Sequence, residues 1–143
     1  MYESARGTQM SSKARQPIIF LIEEDDDARP ILRSNLQRDG YRVLLALDKE
    51  DALDRVSGGR LSADLILVNL IGKAPEESLI VGQHIREYGE FAANTPLVIL
   101  AEKYGADLEG KDVQMSDADW ITYPEDHEQL QRLLNGLTAN CLA

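Results

Sequence analysis

Asp64-Leu65-Ile66-Leu67-Val68-Asn69-Leu70 is the stretch that decides the fold of this chain. Residues 65–68 form an unbroken apolar run, the pattern of a strand buried on both faces. The run ends on a polar residue, Asn69. In a parallel sheet the carboxyl ends of the central strands are where ligands and chemistry gather. The sequence therefore poses one question: what an amide, rather than a carboxylate, does at the end of a central strand.

The same signal recurs on both sides of this stretch. Residues 17–22 (PIIFLI) are a second short apolar run, followed at once by Glu23-Glu24-Asp25-Asp26-Asp27. Ala28, Ile31, Leu32, Asn35 and Leu36 then recur at helical spacing. Asp26 or Asp27 can cap that helix, Pro30 is tolerated in its first turn, and Gly40 suits the position just past its end. Residues 41–47 (YRVLLAL) predict the next strand. Asp48 with Asp51 resembles a capping box and opens a helix through Val56, with Leu53 and Val56 inward and Gly58-Gly59 closing it.

Beyond the central strand, residues 71–77 read as a loop with Gly72 and Pro75. Leu79, Gly82, Ile85 and Tyr88 space as one helix face. Thr95-Pro96 introduces a strand over 97–100, and residues 120–123 predict a fifth, stopped by Pro124. Leu130, Leu133, Leu134 and Leu137 mark the last helix. Residues 103–117 carry the weakest pattern, because Gly105 and Gly110 interrupt it; a helix there is short or irregular.

Five strand-helix repeats imply an α/β fold: a five-stranded parallel sheet, doubly wound and flavodoxin-like in class, with helices on both faces. The expected organisation is a flexible arm over 1–16, one domain over 17–138 and a tail over 139–143. A length of 143 residues suits one domain with a real core. The net charge of −10 argues against direct binding to nucleic acid or an anionic membrane. No apolar run is long enough to cross a bilayer, and residues 1–16 lack the apolar stretch of a signal peptide. Cys141 is the single cysteine, so no internal disulfide forms and a cytoplasmic setting is expected. His84 and His127 have no Cys or second His at ligand spacing, which argues against zinc.

In such a sheet the strand ends bring Glu23-Glu24, Asn69, Ala101-Glu102 and Tyr123-Pro124 to one edge. With the turn DGYRV, the strand ADLILVNL, the helix carrying Gly82 and Ile85-Arg86, and the segments TPLVILAE and ADWITYP, this order resembles the receiver domain of two-component response regulators. The resemblance runs from about Pro17 to Leu137 and implies a CheY-like strand order of 2-1-3-4-5. It puts Asn69 on the position where the family carries its phosphoacceptor aspartate. Glu23 and Glu24 fall on the acidic pair that helps hold Mg²⁺, Ala101 on a Thr or Ser, Tyr123 on a Lys, and Pro124 on the proline that follows. Trp120 falls on the switch aromatic.

The departures agree with one another. A carboxamide is not a useful nucleophile at phosphorus. Ala101 has no hydroxyl for a phosphoryl oxygen and Tyr123 no cation to neutralise one. The expectation is a degenerate receiver, not an enzyme, that works without phosphorylation and binds a protein: a sensor kinase, an output domain or a regulator. No cofactor is expected; residual Mg²⁺ at Glu23 and Glu24 is the alternative, in a geometry altered by the extra methylene of each. The resemblance also implies a partner face, or a homodimer, on the fourth helix, fifth strand and fifth helix, including Trp120. With no room for an output domain after Leu137, the chain is expected to act alone or as part of something longer. Plainer readings stand beside these: Asn69 as a loop cap, Asp25 to Asp27 as a helix cap and solvated surface, Trp120 as a packed strand residue. Tyr123 would fill the emptied pocket or offer its hydroxyl to Glu23 or Glu24, and Lys103 would swing toward the acids or stay solvated. Two other functions stand as alternatives: a receiver using a substitute such as Asp25 or Asp26, and a flavodoxin-like small-ligand binder of a nucleotide or flavin, whose phosphate EEDDD would repel.

Overall fold

The computed structural model describes residues 15–139. The expected arm, apart from Arg15 and Gln16, and the tail with Cys141, apart from Ala139, lie outside the described residues. The elements run β1 (Ile18–Glu23), α1 (Ala28–Arg38), β2 (Arg42–Ala46), α2 (Lys49–Val56), β3 (Leu65–Asn69), α3 (Pro75–Tyr88), β4 (Leu97–Leu100), β5 (Asp112–Gln114), β6 (Asp119–Thr122) and α4 (His127–Leu137).

They build one sheet in the order β2-β1-β3-β4-β6-β5. The first five strands in that order are parallel, as the repeats predicted. The sixth is a correction: β5 runs antiparallel to β6 at the sheet's edge. The expected five-stranded sheet in the order 2-1-3-4-5 thus gains a strand, and the expected fourth of five helices is missing.

Side-chain alternation along each strand sorts the core into two layers. Ile19, Leu21, Leu65, Leu67 and Val98 face the layer filled by Leu36 of α1 and Leu130 and Leu134 of α4. Phe20, Ile22, Ile66, Val68, Ile99 and Ile121 face the other, filled by Ala52 and Val56 of α2 and Leu79 and Ile85 of α3. Burying each such side chain fully is worth about 1.5–3 kcal/mol, so β1 and β3, buried along almost their whole length, anchor the domain. Gly82 lets α3 lie close on β4: a Cβ there would meet Leu97 Cδ1 at 2.7 Å.

Several local expectations shift. Asp48 caps α2 by accepting from Asp51 N–H at 2.8 Å, but the Asp51 carboxylate takes Leu47 N–H instead of closing the box. Before α1 it is Asp25, not Asp26 or Asp27, whose Oδ1 accepts the backbone N–H groups of Asp27 and Ala28. Ile31 and Tyr88, which spacing placed with the apolar residues of their helices, are 64% and 50% exposed. Tyr88 instead meets His84 edge-to-face on the outer surface of α3.

The missing helix has a local cause. Gly105 and Gly110 bracket an acidic segment with little apolar content, and Gly110 adopts φ +85°, which ends any helix there. A turn forms, with Leu108 N–H donating to Gly105 O. Its apolar residues Tyr104 and Leu108 cover the sheet in the helix's place. The Tyr104 hydroxyl donates to Pro124 O at 2.6 Å and its ring packs edge-to-face on Tyr123. Gly110 N–H then donates to Tyr123 O at 2.7 Å, delivering the chain into β5.

Candidate functional site

The parallel register sets Glu23 beside Asn69, the last residues of β1 and β3. Both lie on the α1/α4 side by strand alternation, and both are buried, at 1% and 4% exposure. Asn69 Nδ2 donates to both oxygens of Glu23 at 3.0 and 2.9 Å, and to Glu102 Oε2 at 2.8 Å. Glu23 Oε2 also accepts from Asp25 N–H at 3.1 Å. One amide therefore joins carboxylates from the ends of β1 and β4 across the central strand.

The cost of this arrangement shows at the other end of the amide. Asn69 Oδ1 is buried with no hydrogen-bond partner. A buried acceptor left unmade costs about 1–3 kcal/mol, but bonds to charged groups are worth about 1.5–3 kcal/mol each. With two anions in reach, turning the N–H donors toward them wins. Asn69 therefore bridges acids and does not cap its loop.

Burial pushes the Glu23 carboxyl above its ordinary 4.5, helped by the charges of Glu102 and Asp25; the Asn69 and Asp25 bonds oppose the rise without cancelling it. Glu24 turns away: its Oε1 accepts Ile71 N–H at 2.7 Å, pinning the loop after β3. Arg29 donates from Nε to the Glu23 backbone carbonyl and from Nη1 to Asp26, not to the Glu23 carboxylate.

The other sequence-selected residues fall elsewhere. Ala101 and Tyr123 join the opposite core layer with Ile99 and Ile121. Burial, with Glu76 nearby, raises the Tyr123 phenol above its ordinary 10, and no hydrogen bond ties it to Glu23 or Glu24 among the described residues. Trp120 is a half-buried strand residue, paired between Val98 and Gln114 and packed toward α4. Pro124 follows β6 and supplies the carbonyl for Tyr104. Lys103 makes no ion pair among the described residues. Glu102, which sequence reading brought to this edge without a role, is the residue that meets Asn69.

No family model matches the sequence. The chain is 29% identical over 114 residues to the uncharacterized transcriptional regulatory protein YrkP of Bacillus subtilis, a match covering 78% of this chain and 45% of that protein. It thus spans less than half of that relative's length. Among solved structures it is similar to the receiver domain of the sensor histidine kinase PA1611 of Pseudomonas aeruginosa (TM-score 0.61, 21% identity, 87% of this chain and 99% of that one). It is similar also to the chemotaxis protein CheY4 of Vibrio cholerae (TM-score 0.63, 19% identity, 86% and 99%). A response regulator of Thermotoga maritima matches at TM-score 0.61 and 22% identity, over 87% and 99%.

The chain has the receiver fold. The Pseudomonas receiver was crystallised with a magnesium ion in its active-site cleft. The residues of this chain do not fit such an ion as they stand. Mg²⁺ demands near-octahedral oxygen ligands. Here the Asn69 Nδ2 group already engages the Glu23 and Glu102 oxygens that a metal would need, and Glu24 is turned to the Ile71 amide. Among the described residues no group of three or more His, Cys, Asp or Glu side chains converges to hold a metal. The receiver fold is kept, while Asn69 Nδ2 holds together acids that would otherwise repel.

Proposed function

We propose that this chain is a receiver-like signalling module of the two-component type that works by protein binding and takes no phosphoryl group at the end of β3. One observation carries the reading: Asn69 Nδ2 bridges Glu23 and Glu102 where an aspartate and a divalent cation would otherwise be required. The bridge needs neither metal nor phosphate, so it favours one standing conformation of the loop after β4. The likeness to a transcriptional regulatory protein supports a regulatory setting, in the cytoplasm, with a kinase, an output domain or a regulator as the partner class.

Incubation with acetyl phosphate and Mg²⁺, followed by intact-mass measurement, tests the reading. The expected mass is unchanged. A phosphoryl adduct labile to base and hydroxylamine overturns it, and peptide mapping would show whether Asp25 or Asp26 carries the group.

The partner face follows from the altered edge. Where the resemblance implied a helix, this chain presents the turn over 103–111 and the β5–β6 hairpin, with Trp120 half-buried beside them. Trp is enriched at interaction hot spots. Trp120→Ala is expected to weaken capture of the partner more than it lowers the melting temperature; equal losses would leave Trp120 a packing residue only.

A further inference from the structure

Among the described residues β5 ends the sheet, and no strand lies on the outer side of its backbone. The ladder to β6 shows which groups that leaves. Val113 stands opposite Ile121, Tyr123 N–H donates to Lys111 O at 2.8 Å, and Met115 N–H donates to Asp119 O at 2.7 Å. Odd-numbered residues therefore bond inward, and the N–H and C=O groups of Asp112 and Gln114 point outward. Edge strands are normally blunted by shortness, Lys, Pro, bulges or inward-pointing charge; β5 is three residues long with Lys111 just before it, and has no further device of this kind. Residues 111–116 contain no Pro. The one carboxylate on the strand is already satisfied on the sheet's face: Asp112 Oδ1 accepts from Thr122 Oγ1 at 2.6 Å and from Gln129 Nε2 at 2.8 Å.

We propose that this edge pairs with the β5 edge of a second copy of the chain, joining two six-stranded sheets across a two-fold axis. Three features select a second copy as the occupant. First, the register is self-consistent. An antiparallel pairing centred on Val113 sets Asp112 opposite Gln114 of the other copy, and those are the residues with outward-facing groups. Second, the side chains complement one another. Val113 meets its own counterpart. The exposed Met115 lies along the stem of Lys111, and the Gln114 amide faces the Asp112 carboxylate. Third, the charge permits approach. The chain carries −10, yet residues 111–116 hold one Lys and one Asp. The pairing also brings Lys111 toward the Asp117 turn of the other copy. This inference is independent of whether the module is phosphorylated.

Sedimentation equilibrium of the full chain, from about 10 µM to about 1 mM, reads the association directly. A mass rising toward twice 15.9 kDa with concentration is expected. Gln114→Pro removes one outward N–H and no inward one, and edge positions tolerate Pro. It is expected to weaken dimerisation at least about tenfold, a difference of about 1.4 kcal/mol, with unchanged far-ultraviolet circular dichroism and Trp120 fluorescence. Val113→Cys in a Cys141→Ser background gives the positive test. Directly opposed residues of a non-hydrogen-bonded antiparallel pair lie about 4.5 Å apart at Cα, within disulfide reach, so mild oxidation should cross-link two copies. A monomer throughout, equal dimerisation by the Pro variant, or no cross-link would overturn the proposal. So would binding of a foreign extended peptide at this edge by a chain that stays monomeric alone.

Discussion

Two buried carboxylates lie at opposite ends of the sheet and are treated in opposite ways. Asp119, at the start of β6, is 2% exposed; Glu23, at the end of β1, is 1% exposed. Burial pushes the Asp119 carboxyl upward, but bonds from Arg86 at 2.7 Å, Gln83 at 2.9 Å and Ser116 at 2.8 Å outweigh it and hold it below the usual 3.8. Glu23 receives a neutral amide and one backbone N–H, and stays above the usual 4.5. The difference separates architecture from site. The fold neutralises the acid that holds α3 to β6. It leaves Glu23, in the cleft at the strand ends, without a cation, and uncompensated charge of that kind is where function is looked for.

The largest expected effect breaks the compensated side. Arg86→Met leaves Asp119 buried and charged with only neutral donors, and removing one partner of a buried pair costs about 3–5 kcal/mol. Denaturant unfolding at pH 7 would show it as a lower midpoint. A loss under about 1 kcal/mol would mean that Gln83 and Ser116 suffice, and the contrast with Glu23 would lose its force.

Next comes the uncompensated side. Asn69→Asp removes the Nδ2 bridge and brings a third carboxylate against Glu23 and Glu102. We expect a loss of about 1–3 kcal/mol in EDTA. Millimolar Mg²⁺ should restore part of it in this variant alone, because three carboxylates can now offer oxygens and a ligand that binds only the native state stabilises it. Equal Mg²⁺ stabilisation of the parent chain would show that Asn69 already tolerates the ion.

Apolar runs and their spacing made the parallel core legible. LILV, PIIFLI and LVIL are short, continuous and bounded by turn residues, and nothing competes with a buried strand for them. The edge was not legible for the same reason reversed. Asp-Val-Gln is three residues long, two of them polar, and its pairing is stabilised by contacts with β6 that no local pattern announces. Within the site, Glu23 and Asn69 were readable because register alone makes them neighbours. Glu102 was not, because the residue that reaches the cleft depends on which face the chain presents after β4. The expected position, Ala101, takes the alternate face. Tyr123 shows the same effect after β6.

The two acids also make opposite predictions with pH. Asp119 sits lowered, so its contribution is present above 3.8 and is lost as pH falls through its native value, below 3.8. Glu23 sits raised, so between 4.5 and its native value the folded state binds more protons than the unfolded. Stability attributable to Glu23 therefore falls as pH rises through that window.

Glu23→Gln isolates the Glu23 dependence and is the smallest effect expected. The amide Oε1 still accepts from Asn69, but the charge-assisted character of those bonds is lost. Against that, burial of the charge and repulsion from Glu102 and Asp25 are relieved. The carboxyl lies above its ordinary value, so the native pocket disfavours the charge on balance, and the variant should be more stable at pH 7 by up to about 1 kcal/mol. The gain should shrink as pH falls through the native value of Glu23 and be lost below 4.5, where the raised carboxyl no longer distinguishes the folded from the unfolded chain. Melting curves of both chains across pH 4 to 8 would test this. A variant less stable than its parent at pH 7 would mean that the Asn69 bridge outweighs the burial of Glu23, and the cleft would then be as fully compensated as Asp119.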